Sequence, residues 1–190
     1  MNDCLSEIQQ KVADGCVQSF GRLHQLYYSR LKAFACSMIH STQLAEEVVE
    51  DVFVQLWVNR SHITSIENLV VYLYKATKNR SLNALTALSR SLITEGFDHL
   101  EVDVHQASNP YELMVTAELM EKMNEAVNSL PPKCKMIFKL VREDSLKYKE
   151  VAEVLNISVN TIDVQMAIAV ERICKALNIQ KLSKKKVIII

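Results

Sequence analysis

Glycine and proline are scarce, with three of each among 190 residues, where an average protein carries roughly 12% of the two together. A many-stranded β fold spends such residues on its turns, so their scarcity excludes that class and favours long helices. Long apolar runs are missing too. No stretch approaches the ~18 residues of a membrane span, and the terminal cluster Val187–Ile190 is far too short. The first residues, MNDCLSEIQQK, have no basic start followed by an apolar core, so nothing directs export and the expected location is the cytoplasm. There is no glycine-rich phosphate loop, which removes nucleotide-driven chemistry. The five cysteines, at 4, 16, 36, 134 and 174, form no CxxC and no close pair. They are expected as small, reduced core residues, with neither a zinc site nor a disulfide framework. The five histidines, at 24, 40, 62, 99 and 105, are scattered and form no nucleophile or metal pattern. No enzyme activity, cofactor or metal is expected.

What is present is a chain that is 49% apolar and 23% charged, a globular composition. Its net charge is zero, yet the charges are sorted. Residues 96–130 hold seven acidic side chains and one lysine, while 131–190 hold twelve cations and six acids. A neutral sum of this kind can still hide a nucleic-acid footprint. The helical period breaks across 91–110, SLITEGFDHLEVDVHQASNP, which reads as an acidic linker. The expected fold is all-α, with two small helical domains, 1–90 and 111–190, joined by a flexible linker over 91–110.

In the N-terminal part, residues 17–39 place Phe20, Leu23, Tyr27, Leu31, Phe34, Ala35 and Met38 on one helical stripe. Thr42 can cap a second helix running through Asn59, with Ala45, Val48, Val49, Val52, Phe53 and Leu56 inside. A third helix is expected from the capping-box candidate Thr64-x-x-Glu67 to about Ser89. Its inner stripe is Ile66, Val70, Leu73, Thr77, Ala84, Leu85 and Leu88. The outer faces carry the functional information. Glu47, Asp51 and Gln55 recur every four residues and form one polar line, bordered by Val54, Trp57 and Val58. Carboxylates inside an apolar rim suit a basic protein partner, although a plain solvated face shares the pattern. On the third helix, Tyr72, Lys75, Lys78, Asn79 and Asn83 face outward with Tyr74 and Arg80 at the edges. Such a face suits a nucleic-acid strand, since lysines track phosphates, rings stack on bases and amides read base edges. Snorkelling lysines on an ordinary soluble surface would look similar.

The C-terminal part is more specific. Residues 111–129 form an amphipathic helix, Pro131 and Pro132 suit the start of a helix over 132–142, and Tyr148–Leu155 and Ser158–Leu177 follow as helices. Only Asn156 and Ile157 separate the last two, with Ser158 placed as N-cap. So tight a junction is a helix-turn-helix, whose second helix enters the major groove. Val151, Ala152 and Leu155 are expected to face Ile157, Val159, Ile162, Met166, Ala169, Ile173 and Leu177 inside. Asn160, Thr161, Asp163, Val164, Gln165 and Ala167 point outward, where amides bond adenine and Thr or Val touches a thymine methyl. Lys147, Lys149, Arg172 and Lys175 would lie near phosphates.

Together AEEVVEDVFVQLWVNR (45–60), YLYKATKNRSLNAL (72–85) and LPPKCKMIFKLV followed by SLKYKEVAEVLNISVNTIDVQMAIAVERI (130–173) resemble the extracytoplasmic-function (ECF) sigma factors. The likeness spans about residues 15–178. It implies that Glu47, Asp51, Gln55 and Trp57 dock on the clamp of RNA polymerase core. It implies that Tyr72, Lys75, Asn79, Arg80 and Asn83 line the helix that opens and reads the −10 promoter element, with Lys78 beside them. The helix beginning at Ser158 would read the −35 element while its domain sits on the polymerase flap; its candidate contacts are Lys149, Ser158, Asn160, Thr161, Val164, Gln165 and Arg172. The resemblance also brings in an anti-sigma factor, which commonly holds family members inactive.

Two departures shape the expectation. The third helix continues as NALTALSRSL, with Arg90 alone where the family often carries a dense basic run, and the −35 helix has fewer cations than is common. Fewer phosphate contacts give a shallower salt dependence and negligible promoter binding by the free chain. A stand-alone helix-turn-helix regulator would instead bind duplex DNA without polymerase, usually as a dimer. A polymerase-binding adaptor would not contact DNA at all.

Overall fold

The computed structural model describes residues 2–94 and 114–177, and the chain divides into two compact units, Met1–Asp103 and Val104–Ile190. Among the described residues all regular structure is helical. The first unit holds α1 (Asn2–Ala13), α2 (Val17–Ile39), α3 (Thr42–Val58), a 3-10 turn (Arg60–Ser65) and α4 (Leu69–Thr94). The second holds α5 (Met114–Asn128), α6 (Pro132–Arg142), α7 (Tyr148–Leu155) and α8 (Val159–Ala176). Of the expected linker, residues 91–94 belong to α4 and 95–110 lie outside the described residues.

In the first unit α2, α3 and α4 pack pairwise, and α1 lies against α2 and the 3-10 turn. The six inner positions expected on α3 are all buried, each large aliphatic contributing about 1.5–3 kcal/mol when fully buried. α2 stops at His40, whose left-handed backbone (φ 58°) lets its N–H donate to Cys36 O. α3 is capped by Ser41 rather than Thr42, because Ser41 Oγ, one residue earlier, accepts from Leu44 N–H at 3.4 Å. α1 adds to the expected helices. Ile8 and Val12, one turn apart, are both buried, and Gln9 Nε2 donates to Ile63 O and Ile66 O, each at 3.1 Å.

α4 differs from expectation at both ends. Thr64 caps nothing, because Arg60–Ser65 is a 3-10 turn; Asn68 does the capping, its Oδ1 accepting from Val71 N–H at 3.1 Å. The buried row is Leu69, Leu73, Thr77 and Ser81, four residues apart on one face. Tyr74, expected at the outer edge, is only 1% exposed, with its ring 5.2 Å from Phe34 in a T-shaped pair. Leu88, expected inside, is exposed, and past Ser81 no described side chain of α4 is buried. The bundle therefore covers only the first part of this helix.

In the second unit α8 packs against α5, α6 and α7, around Leu130, Cys134, Ile137, Ile162, Met166 and Ile173. α6 begins at Pro132 as expected, where a missing N–H costs nothing. At the start of α7 the Lys147 N–H donates to the Glu150 carboxylate at 2.7 Å. α7 ends at Asn156, in the left-handed region with φ 56°, which asparagine tolerates better than most residues. Ile157 N–H then returns to Ala152 O at 3.0 Å, and Ser158 Oγ accepts from Thr161 N–H at 3.1 Å to open α8. The helix-turn-helix is thus built with the junction that the sequence indicated. Two inner positions are corrected: Val159, in the first turn of α8, is exposed, and on α7 Val154 is buried while Leu155 is half-buried. The cysteine expectation is corrected as well. Cys134 is buried, whereas Cys16, Cys36 and Cys174 are partly exposed, and all four are free thiols.

Candidate functional site

α3 presents Glu47, Asp51 and Gln55 to solvent in one line. Val54 and Val58 beside them are 59% and 65% exposed, an open apolar border. Trp57 is half-buried: its ring lies 4.9 Å from Phe20 on α2 and 4.9 Å from the Arg60 guanidinium. Arg60 Nη1 also donates to Trp57 O at 3.1 Å, which holds the last turn of α3 against the 3-10 turn.

On α4, Tyr72, Asn79 and Asn83 are exposed, and Lys75, Lys78 and Arg80 are half-exposed. Tyr74 leaves this face for the core and is not available for stacking on a base. Arg80 turns toward α3 and forms an ion pair with Asp51, Nη1 to Oδ2, at 2.7 Å. The two outer faces, read separately in the sequence, therefore meet at one contact. No spacing signal marks it, because the partners are 29 residues apart on different helices.

At the N-terminal end of α8, Asn160, Asp163 and Val164 are exposed, with Lys149 on α7 and Arg172 further along α8. Thr161 and Gln165 are half-buried. The Ser158 and Thr161 hydroxyls are 2.8 Å apart, so both are engaged in capping the helix. Gln165 also serves the core through its backbone, since its carbonyl accepts from Cys134 Sγ at 3.3 Å.

Several titratable groups around these faces are displaced. A hydrogen bond from Ser19 Oγ, at 3.3 Å, pulls the Cys16 thiol below its ordinary range, whereas burial pushes Cys36 and Cys134 up. Burial, and after it the charge of Lys139, lowers Lys135 on α6. Among the described residues no cluster of His, Cys, Asp or Glu could hold a metal ion, and no helix is long and apolar enough to cross a membrane.

Residues 23–91 match the family Sigma-70 region 2, and residues 120–173 match Sigma-70, region 4. The chain belongs to the extracytoplasmic-function sigma factors. Its curated relatives include the ECF RNA polymerase sigma-E factor of Escherichia coli K12, 23% identical over 160 residues that cover 80% of this chain and 83% of that one. The ECF RNA polymerase sigma factor SigW of Bacillus subtilis 168 is 21% identical, covering 80% and 86%. In fold, this sigma factor is similar to RpoE from Bartonella quintana, solved with the anti-sigma factor NepR, at a TM-score of 0.61 and 21% identity over 87% of this chain and 100% of that one. CnrH, solved with the cytosolic domain of CnrY, gives 0.54 at 17% identity over 91% and 96%. Sigma factors act in promoter recognition with RNA polymerase and carry no catalytic step of their own. The region 2 match takes in α3 and most of α4, and the region 4 match takes in the helix-turn-helix. A stand-alone regulator would have no use for region 2, so that alternative is not favoured. α1 precedes both matches; the spacing of Leu5, Ile8 and Val12 at i, i+3 and i+7 is the signal for its packing, whereas the Gln9 contacts had none. The Arg90 side chain and the KLSKKKVIII tail lie outside the described residues.

Proposed function

We propose that this sigma factor docks on RNA polymerase core through Glu47, Asp51, Gln55 and Trp57, and reads promoter DNA with two separate helices. Tyr72, Lys75, Lys78, Asn79, Arg80 and Asn83 on α4 receive the −10 element. Lys149, Ser158, Asn160, Thr161, Val164, Gln165 and Arg172 serve the −35 element, with 111–190 on the flap and 1–90 on the clamp. The observation that carries this reading is the acidic line of α3 inside an open apolar border, which lies in the segment matching region 2. The mechanism is non-covalent. Carboxylates attract a basic polymerase surface, phosphate contacts set the register, and Tyr72 stacks on an unpaired base. Ser158 and Thr161 act chiefly by holding the first turn of α8 in shape, and Asn160 and Val164 carry base contacts. Such work belongs in the cytoplasm. An anti-sigma factor is a further partner, supported by the structural neighbour RpoE, solved with the anti-sigma factor NepR.

The test is run-off transcription with core polymerase from the source bacterium across a fragmented genome library. Discrete new start sites that vanish with Asp51→Arg are expected. Duplex binding by the chain alone, without new transcripts, would overturn the reading in favour of a stand-alone regulator.

A further inference from the structure

Between α3 and α4 lies a groove of about 300 Å³, walled by Glu47 and Asp51 on one side and Arg80 and Asn83 on the other, with Val48 and Ala84 also lining it. It has room for on the order of ten water molecules. Among the described residues two acidic side chains face a single cation there, and that cation is already paired with Asp51 at 2.7 Å. The pair therefore masks one member of each face: the carboxylate assigned to polymerase and the guanidinium assigned to DNA. Both side chains remain partly open to solvent, at 36% for Arg80 and 56% for Asp51, so a competing charge can reach them.

We propose that this groove is a slot for a basic side chain of the polymerase, which takes Asp51 from Arg80 and releases the guanidinium for a DNA phosphate. The proposal rests on the docking reading above and adds an exchange of partners to it. With two carboxylates and one guanidinium among the described lining residues, the groove keeps an excess of negative charge that attracts an incoming lysine or arginine. The released Arg80 gains a phosphate partner only once polymerase is bound. Coupling of this kind is reciprocal: whatever docking adds to DNA affinity, DNA adds to docking. Its size is bounded by the weakness of exposed ion pairs, which limits the exchange to about two- to fivefold in affinity, and it shrinks as salt screens the pair.

Two affinities of the full chain test it, one for core polymerase and one for a labelled oligothymidylate at low salt, a probe that senses phosphate contacts irrespective of sequence. Asp51→Asn is expected to weaken core binding while raising oligothymidylate affinity about two- to fivefold. Arg80→Gln is expected to raise core affinity by a similar factor. Glu47→Gln removes an equal charge one turn away, and is expected to weaken core binding with the oligonucleotide affinity unchanged. If Arg80→Gln weakens core binding or leaves it alone while Glu47→Gln weakens it, the docking reading stands and the slot is overturned. An equal gain in oligonucleotide affinity from Glu47→Gln would overturn it too, since general charge removal would then account for the effect. If neither carboxylate substitution alters core affinity, the docking reading itself fails.

Discussion

Phe20 and Trp57 hold their rings 4.9 Å apart at a 49° tilt, which fastens the last turn of α3 to the first turns of α2. The tryptophan thus has a packing role beside the docking role proposed for it, and the two can be separated. Trp57→Ala is expected to lower the stability of the N-terminal unit by about 2 kcal/mol, less than for a fully buried tryptophan. Val54→Ser, on the exposed border, is expected to change stability by no more than about 0.5 kcal/mol. Both are expected to weaken core binding. Urea unfolding and titration of core polymerase check the pair. If Val54→Ser leaves core affinity intact, the apolar border is not part of the docking face.

Ser81 offers a test of the core. Its Oγ is buried in the interior row of α4 with no hydrogen-bond partner, whereas Thr77, one turn earlier, donates to Leu73 O at 2.9 Å. A buried hydroxyl left unpaired costs about 1–3 kcal/mol. Ser81→Ala should therefore raise stability by about 1 kcal/mol, or roughly 4–8 °C in Tm for a domain of this size. A drop in Tm would mean that the hydroxyl is satisfied after all.

The thiols should react in a definite order. Cys16 is half-exposed, and the Ser19 hydrogen bond lowers its pKa, so a larger share is thiolate at any pH below the ordinary thiol value. Cys36 and Cys134 are raised by burial and keep their protons to higher pH. A short iodoacetamide pulse near pH 8, read by peptide mass spectrometry, should label Cys16 well ahead of these two. Equal labelling of Cys16 and Cys134 in the folded chain would contradict the structure.

At the DNA end, cap and reader can be told apart. Ser158→Ala removes the acceptor for Thr161 N–H and should cost about 1 kcal/mol of stability in the C-terminal unit. Asn160→Ala should leave stability unchanged and relax base preference at one −35 position by about 1–3 kcal/mol. Lys149→Ala should weaken binding to all sequences alike and reduce the salt slope by about one. Holoenzyme binding to promoter variants at several salt concentrations decides. A sequence-specific loss from Lys149→Ala would move it from phosphate to base.

Much of this molecule is legible in its sequence, for reasons that also explain the failures. The inner face of α3 and the Asn156–Ile157–Ser158 junction were readable because both depend on residues a few positions apart, where helical period and capping chemistry apply directly. Tyr74 departs from its sequence pattern because a tyrosine beside lysines suits either side of a helix, and only the ring of Phe34, 40 positions earlier in the chain, decides for the core. Thr64 satisfied a capping pattern that Asn68 fulfils in fact, since the 3-10 turn delays the helix. The Asp51–Arg80 pair and the Gln9 contacts join distant segments and leave no local mark at all.

Gln9 also gives the folding of this chain a direction in time. Its amide bonds the carbonyls of Ile63 and Ile66, 54 and 57 residues further on, so α1 is synthesised well before its partners exist. At about 5–20 residues per second, the wait is roughly 3–11 s. During it the apolar side of α1, Ile8 and Val12, has at most α2 to lie against. The N-terminal unit can close only after the turn beyond α3 has left the ribosome, and α1, though made before α2, α3 and α4, is among the last to be locked in place.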